Sequence, residues 1–408
     1  MTQIKKIFGL FFVSLIFIFL SYGVFLSRYS PNVFSNDLVF NNPAGFYDYS
    51  GAINVRSNLT TGSGTTHQIA EAAFESKLNF VILTDLNATS EDRENEGYIN
   101  NVLMLVGSEY KYLDSRLLNI NGDIAGYFSN AGRSQIYLTD LLNDESRAED
   151  KGLFVLAHPL KPGYKWSGDF PIGLDGIEVF NLKGIWQWAW LKDRSSFAWT
   201  VLTYPFNAKL AFARLFAESS DDEIFLWDQL NQKRRVLGFA GSAAESRVKF
   251  LGRILEVPSY QTLFDIMKTH LLLKSELTGN FEVDKAKIYS ALKAGQFYMS
   301  LDLLANPKGF STYLKSADGQ QHLMGSTLSF KKNLNLVIEL PSKPLVPFQV
   351  LIYKDGDRIL TSTSVKTTFP VLEPGSYRVV VKLRVLLPIP DGKKWIPWIF
   401  TNPILIEP

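Results

Sequence analysis

Residues 51–87 read GAINVRSNLTTGSGTTHQIAEAAFESKLNFVILTDLN, and their rhythm decides the fold. A short strand at 51–56 is followed by a loop of Gly, Ser and Thr. Residues 65–77 then place Ile69, Ala72, Ala73 and Phe74 at helical spacing. The run NFVILT at 79–84 is apolar throughout, the pattern of a strand covered on both faces. Strand, loop, helix, strand is the unit of a parallel sheet. The same buried-strand type returns at 103–106, 152–157 (GLFVLA), 176–180 (GIEVF) and 235–240 (RVLGFA). From residue 51 onward the chain therefore reads as α/β, open or barrel-like.

Working outward, residues 7–26, from Ile7 to Leu26, carry no charge over twenty positions, enough to cross a hydrocarbon core. Lys5 and Lys6 precede the run and Arg28 follows it, so the positive-inside rule places the N-terminus in the cytoplasm. The run is long for a signal peptide, and no A-x-A-like cleavage site follows. The expectation is a single-pass membrane protein, anchored in the bilayer through 1–28, with its soluble part extracytoplasmic (periplasmic or extracellular). Residues 29–50, rich in Asn, Pro, Ser and Tyr, read as a linker.

Residues 183–231 form a helical insertion dense in aromatics, among them Trp186, Trp188, Trp190, Trp199, Phe206, Phe212, Phe216 and Trp227. Packing on the α/β core is the favoured reading, and a surface at the bilayer boundary is the alternative. The α/β part spans 51–304. After residue 305 the pattern becomes β-type at 334–340, 349–354, 365–369 and 377–385, with Asp355-Gly356 where a hairpin turn belongs. In the last run Tyr377, Val379, Val381, Leu383 and Val385 share one face, and Arg378, Lys382 and Arg384 the other, which predicts a half-buried strand. Residues 305–408 are thus expected to form a small β-sandwich.

Composition excludes several functions. The 408 residues carry 42 basic and 40 acidic side chains, a net charge of +2, so no global field favours nucleic acid. Cysteine is absent, which removes disulfides, thiolate metal sites and cysteine nucleophiles. Ser242 lies in GFAGSAAES, where G-x-S-x-G would need glycine at Ala244. The Gly62-Ser63-Gly64 loop before a helix carries a weak phosphate-binding signal. His67 reads as an exposed first-turn residue; His270 and His322 receive no role.

The opening stretch resembles that of the PHP (polymerase and histidinol phosphatase) family of metallophosphoesterases. Those domains run strand, His-x-His, a Ser-Asp-Gly-type loop, a helix, then a strand ending in Thr-Asp-His-Asn. The resemblance continues in order through GSEY (107–110), LAHP (156–159), GIEVFN (176–181), FAGSAAES (239–246) and IYSALKAGQFYMS (288–300). TNPILI (401–406) is similar to the end of secreted members with a C-terminal β domain. It implies a distorted (β/α)7-type barrel with its site at the C-terminal ends of the strands, where two or three zinc, manganese or iron ions activate water.

Carried over residue by residue, that site is degenerate. The His-x-His pair falls on Asn54 and Arg56, the loop aspartate on Thr61, the histidine of Thr-Asp-His on Leu86, a later histidine on Arg116, and the final Asp-x-His pair on Ala243 and Glu245. Glu109 and His158 survive, as does Asp85, which in the family supports the site more often than it ligates metal. Leucine, threonine and alanine offer a metal no useful ligand set. The remaining option for a cofactor is a single divalent ion (Zn, Mn or Fe) on Glu109, His158 and Glu245. Removing cations from a pocket lined by carboxylates leaves charge that is costly when buried, and a guanidinium fork suits carboxylates. Arg56 is thus expected to pair with Glu109, Asp85 or Glu245, either as a structural replacement or, with Arg116, as a site for an anionic ligand. Three functions follow: a non-catalytic envelope protein with a binding or assembly role, possessing a protein partner; an extracytoplasmic metal-dependent phosphoesterase with a reduced site; and an anion-binding module built on Arg56 and Arg116.

Overall fold

The computed structural model describes residues 2–35, 45–89, 91–121, 131–144, 152–161, 163, 165–217, 221–250 and 252–408. The run 51–87 folds as its pattern predicts. Strand β1 (Tyr47–Val55) leads through a loop into helix α2, which follows the N-terminal helix α1 (Thr2–Arg28) and spans Thr66–Glu75. Thr65 caps α2 with a reciprocal pair: its hydroxyl accepts from Gln68 N, and Gln68 Oε1 accepts from Thr65 N at 2.9 Å. Strand β2 (Phe80–Leu83) then lies parallel to β1 with all four residues buried.

Further strands are β3 (Gly97–Ile99), β4 (Val102–Val106), β5 (Ser108–Tyr112), β6 (Ser115–Ile120), β7 (Leu153–Ala157), β8 (Gly176–Asn181) and β9 (Leu237–Ala244). β2 pairs with β4, β5 with β6, β6 with β7, β7 with β8, β8 with β9, and β9 with β1. A parallel bridge from Leu86 to Glu109 joins the end of β2 to β5, so the pairings close on themselves. The ring is not a repeat of βα units. β6 runs antiparallel to both neighbours, because β5 and β6 form a tight hairpin. Of the ring's connections, three carry α-helices among the described residues: α2, α3 (Ala131–Asn143) and the group α4 (Leu182–Lys192), α5 (Arg194–Thr203), α6 (Ala208–Ala217) and α7 (Asp222–Asn231).

Two boundaries differ from the sequence reading. β1 begins at Tyr47, inside the segment read as linker, because 47–51 pair antiparallel with residues 269–273. Residues 36–44 of that linker, and 218–220 of the aromatic insertion, lie outside the described residues. The C-terminal strands are not separate from the α/β sheet either: Phe297–Ser300 pairs with Gly392–Thr401, which continues the hydrogen bonding across residue 304. Beyond that seam a four-stranded sheet (Gln321–Leu323, Ser311–Lys315, Leu334–Glu339, Lys366–Val371) shares one core with the strands Phe348–Lys354 and Gly375–Leu387. Asp355 and Gly356 make the hairpin turn, both at positive φ (53° and 94°).

Arg378 was read onto the solvent face by alternation, yet it is buried. It meets Asp228 of α7 through Nε and Nη2, both at 2.6 Å, with its guanidinium 4.2 Å above the Tyr353 ring. The partner lies 150 residues away, beyond the reach of a local period. Helix α1 meets the length and composition of a membrane span, and equally of a signal sequence. Its last turns pack on the aromatic insertion: Phe19 against Phe206 at 5.5 Å, Tyr22 against Trp199 at 6.1 Å, and Asn207 donating to Leu26 O and Tyr29 O at 2.9 Å.

Candidate functional site

The residues singled out around the site lie on or just beyond β1, β2, β5, β6, β7 and β9, and all but Leu86 and Ala243 fall, with Glu178 of β8, into three groups. The first centres on Arg56. One terminal nitrogen of its guanidinium binds Glu109 Oε2 in a short contact; the other binds Glu245 Oε1 at 2.6 Å and Thr61 Oγ1 at 3.1 Å. Glu109 is fully buried, and its Oε1 faces Arg116 Nε at 3.6 Å. Glu245 also receives Lys183 Nζ at 3.1 Å. Burial works against the Arg56 charge, but the carboxylates of Glu109 and Glu245 outweigh it and hold its pKa above the ordinary value.

The second group belongs to Asp85, which lies apart from Arg56. Its carboxylate accepts from Ser57 N at 3.0 Å, Ser57 Oγ at 2.7 Å and Thr60 Oγ1, and so fastens the loop that carries Thr61. In the same loop, Ser63 N and Gly64 N point at the Tyr260 hydroxyl (3.2 and 3.3 Å), which donates to Arg56 O at 2.6 Å, while Gly62 N donates to Ser57 O at 2.9 Å. The three amides of Gly62, Ser63 and Gly64 are thus engaged within the protein, which overturns the phosphate-binding reading of this loop.

The third group was missed in the sequence. Glu178, inside the apolar strand GIEVF, is 1% exposed. Its oxygens accept from Asn54 Nδ2 at 2.6 Å, Asn181 Nδ2 at 3.1 Å and His158 N at 3.1 Å, and His158 Nδ1 lies 3.0 Å away. Burial opposes its charge, but His158 and these hydrogen bonds hold the carboxyl below its usual range. A carboxylate amid four apolar neighbours was the available signal, since such a charge persists only with partners. Gly241 makes room for it: a Cβ there would sit 1.9 Å from Glu178 Oε1. Beside these groups, buried Lys161 is pushed down to about 8 by burial and by Lys183, with Arg56 adding to it.

Local backbone at the site departs from ordinary L-residue geometry. Asn54, His158 and Ala243 all take left-handed conformations, with φ of 62°, 52° and 43°. For alanine that costs on the order of 1–2 kcal/mol, whereas asparagine adopts the conformation more readily.

The arrangement does not fit the metal centre that the family resemblance implies. Glu109 and Glu245 converge on the Arg56 guanidinium, and His158 is turned to Glu178. The trio proposed for a single ion is therefore split between two groups. Among the described residues no three His, Asp or Glu side chains gather so as to hold a metal ion. Arg56 is likewise engaged on both terminal nitrogens, so its fork is not free for an external anion. Leu86 stands at the bridge to Glu109, and His67 is exposed on the first turn of α2.

No family model matches the sequence, and no curated protein matches it. Among solved structures the chain is similar to a two-domain protein from Bacteroides vulgatus containing a predicted PHP-like metal-dependent phosphoesterase. The two are 11% identical over 90% of this chain and 99% of that one, with a TM-score of 0.38. It is also similar to a protein from Bifidobacterium adolescentis named as a metal-dependent phosphoesterase, 13% identical over 52% of this chain and 93% of that one, with a TM-score of 0.26.

Proposed function

We propose that the chain is a membrane-anchored, PHP-like α/β protein whose metal pocket is closed by its own cations. It serves the cell envelope by binding or assembly, without phosphoester chemistry. The observation that supports this reading is the single guanidinium of Arg56 held between Glu109 and Glu245. A cation in that place does the electrostatic work of a metal for the carboxylates and supplies no open coordination position for water. The left-handed backbone at Asn54, His158 and Ala243 adds support, as a scaffold kept while its side chains changed. In this reading α1 crosses the bilayer, its N-terminus lies in the cytoplasm and the remaining chain lies outside it.

The test is turnover. The full chain in detergent, supplied in turn with zinc, manganese and ferrous iron, is assayed on a nitrophenyl phosphomonoester and a bis(nitrophenyl) phosphodiester. The expected rate matches the buffer. Metal-dependent hydrolysis that disappears in His158→Ala would restore the phosphoesterase reading.

A further inference from the structure

Outside the charged groups, an apolar groove of about 540 Å³ lies beside the site, between α4, α5 and residues 243–248 and 257–263. That volume is in the range of small-molecule sites. One wall is a single face of α5: Phe197, Val201 and Tyr204 are spaced at four and three residues and look into the groove. Trp199, on the opposite side of the same helix, meets Tyr22 of α1, and Trp199 and Thr203 line a small cavity with Tyr22 and Leu26. The groove is therefore one helix thickness from the point where α1 leaves its apolar run. Val201, Leu202 and Trp190 are about half exposed there.

The polar end of the groove is cationic. Lys183 and Glu245 stand at it as a pair, and Arg56 also binds Glu245, so the single negative charge is already matched. Arg247 lines the same end. Its Nη1 donates to Thr61 O at 3.2 Å, and among the described residues it meets no carboxylate. An apolar groove one helix away from α1, with an unmatched guanidinium among its lining residues, has the polarity of an anionic lipid.

We infer that this groove holds one acyl chain of an anionic phospholipid from the surrounding bilayer, with the phosphate on Arg247 and Lys183. The inference rests on the membrane-anchored part of the proposed function. A guanidinium gives phosphate a forked, charge-assisted contact, and the aromatic walls suit the boundary between acyl chains and headgroups.

The full chain is placed in phosphatidylcholine nanodiscs containing phosphatidic acid with a diazirine at the end of one acyl chain, and labelled peptides are mapped after irradiation. Label is expected within 182–204 and 243–263. It should fall about tenfold in Arg247→Gln, the effect of one charge-assisted hydrogen bond. Val201→Trp, which fills the groove from a half-exposed position, should remove it as well. Label confined to α1, label undiminished in both variants, or equal label from the phosphatidylcholine analogue overturns the site. So does a farnesyl monophosphate probe that labels the groove when phosphatidic acid does not, or protection by inorganic phosphate without any lipid label. Entry into the discs is read separately by co-migration: a chain that enters them with its groove unlabelled refutes the lipid site alone, and a chain that stays out refutes the anchor along with it.

Discussion

Replacing Arg56 by methionine keeps an unbranched apolar stem and removes the cation from between two carboxylates. At 2.6 Å and an effective dielectric near 20, the pair with Glu245 alone gains on the order of 6 kcal/mol before desolvation is subtracted. Glu109 is fully buried, so losing its counter-charge falls in the range for breaking a buried pair, roughly 3–5 kcal/mol. The assay is thermal and guanidinium unfolding of the full chain in detergent micelles. For a chain of 408 residues a loss of that size should lower the thermal midpoint by roughly 4–6 °C. Adding Glu109→Gln should return most of the loss. A single variant less than about 1 kcal/mol below the parent, or a double variant no more stable than the single one, would refute the claim that Arg56 serves as the buried counter-ion.

His270, which the sequence reading left without a role, lies between Asp48 at 2.8 Å and Asp302 at 3.3 Å and stacks on Tyr298. Burial pulls its pKa down, but the two carboxylates outweigh burial and push it up to about 9. Because the folded value exceeds the ordinary 6.5, the contribution is fully present below about pH 6.5 and lost as pH rises through 9, a change on the order of 3 kcal/mol. Thermal midpoints from pH 6 to 10 should fall in the parent and stay flatter in His270→Gln. Arg378→Ala should cost roughly 3–5 kcal/mol by the same denaturation assay, since it strands Asp228 between α7 and the C-terminal sheet. Gly241→Ala should cost about 1–3 kcal/mol by forcing a methyl group against Glu178, with the His158 ring resonances moving in the NMR spectrum.

What the sequence made legible was whatever local period or local chemistry controls. The apolar runs at 79–84, 152–157 and 176–180 became buried strands because a strand covered on both faces has no polar side to disguise it. Asp355-Gly356 announced the hairpin between Phe348–Lys354 and Asp357–Ser362, because such turns are set within four residues. Arg56 stood out only through the family resemblance, as the residue that falls with Asn54 on the His-x-His pair. The partners were another matter. Glu178 meets Asn54 across 124 residues and Arg378 meets Asp228 across 150, so neither pairing leaves a trace in spacing. Arg378 obeyed the alternation of an edge facing water while in fact facing a second layer. The seam at Phe297–Ser300 was hidden for the same reason: strand pairing between distant segments is decided by topology.

The exchange of metal for guanidinium is tested most directly by metal stoichiometry. The full chain, dialysed against zinc and then against manganese and passed through a desalting column, is analysed by inductively coupled plasma mass spectrometry beside Arg56→Ala. The account predicts substoichiometric metal in the parent, because Glu109 and Glu245 already share a cation. One or more equivalents retained by the parent and lost in His158→Ala would contradict it.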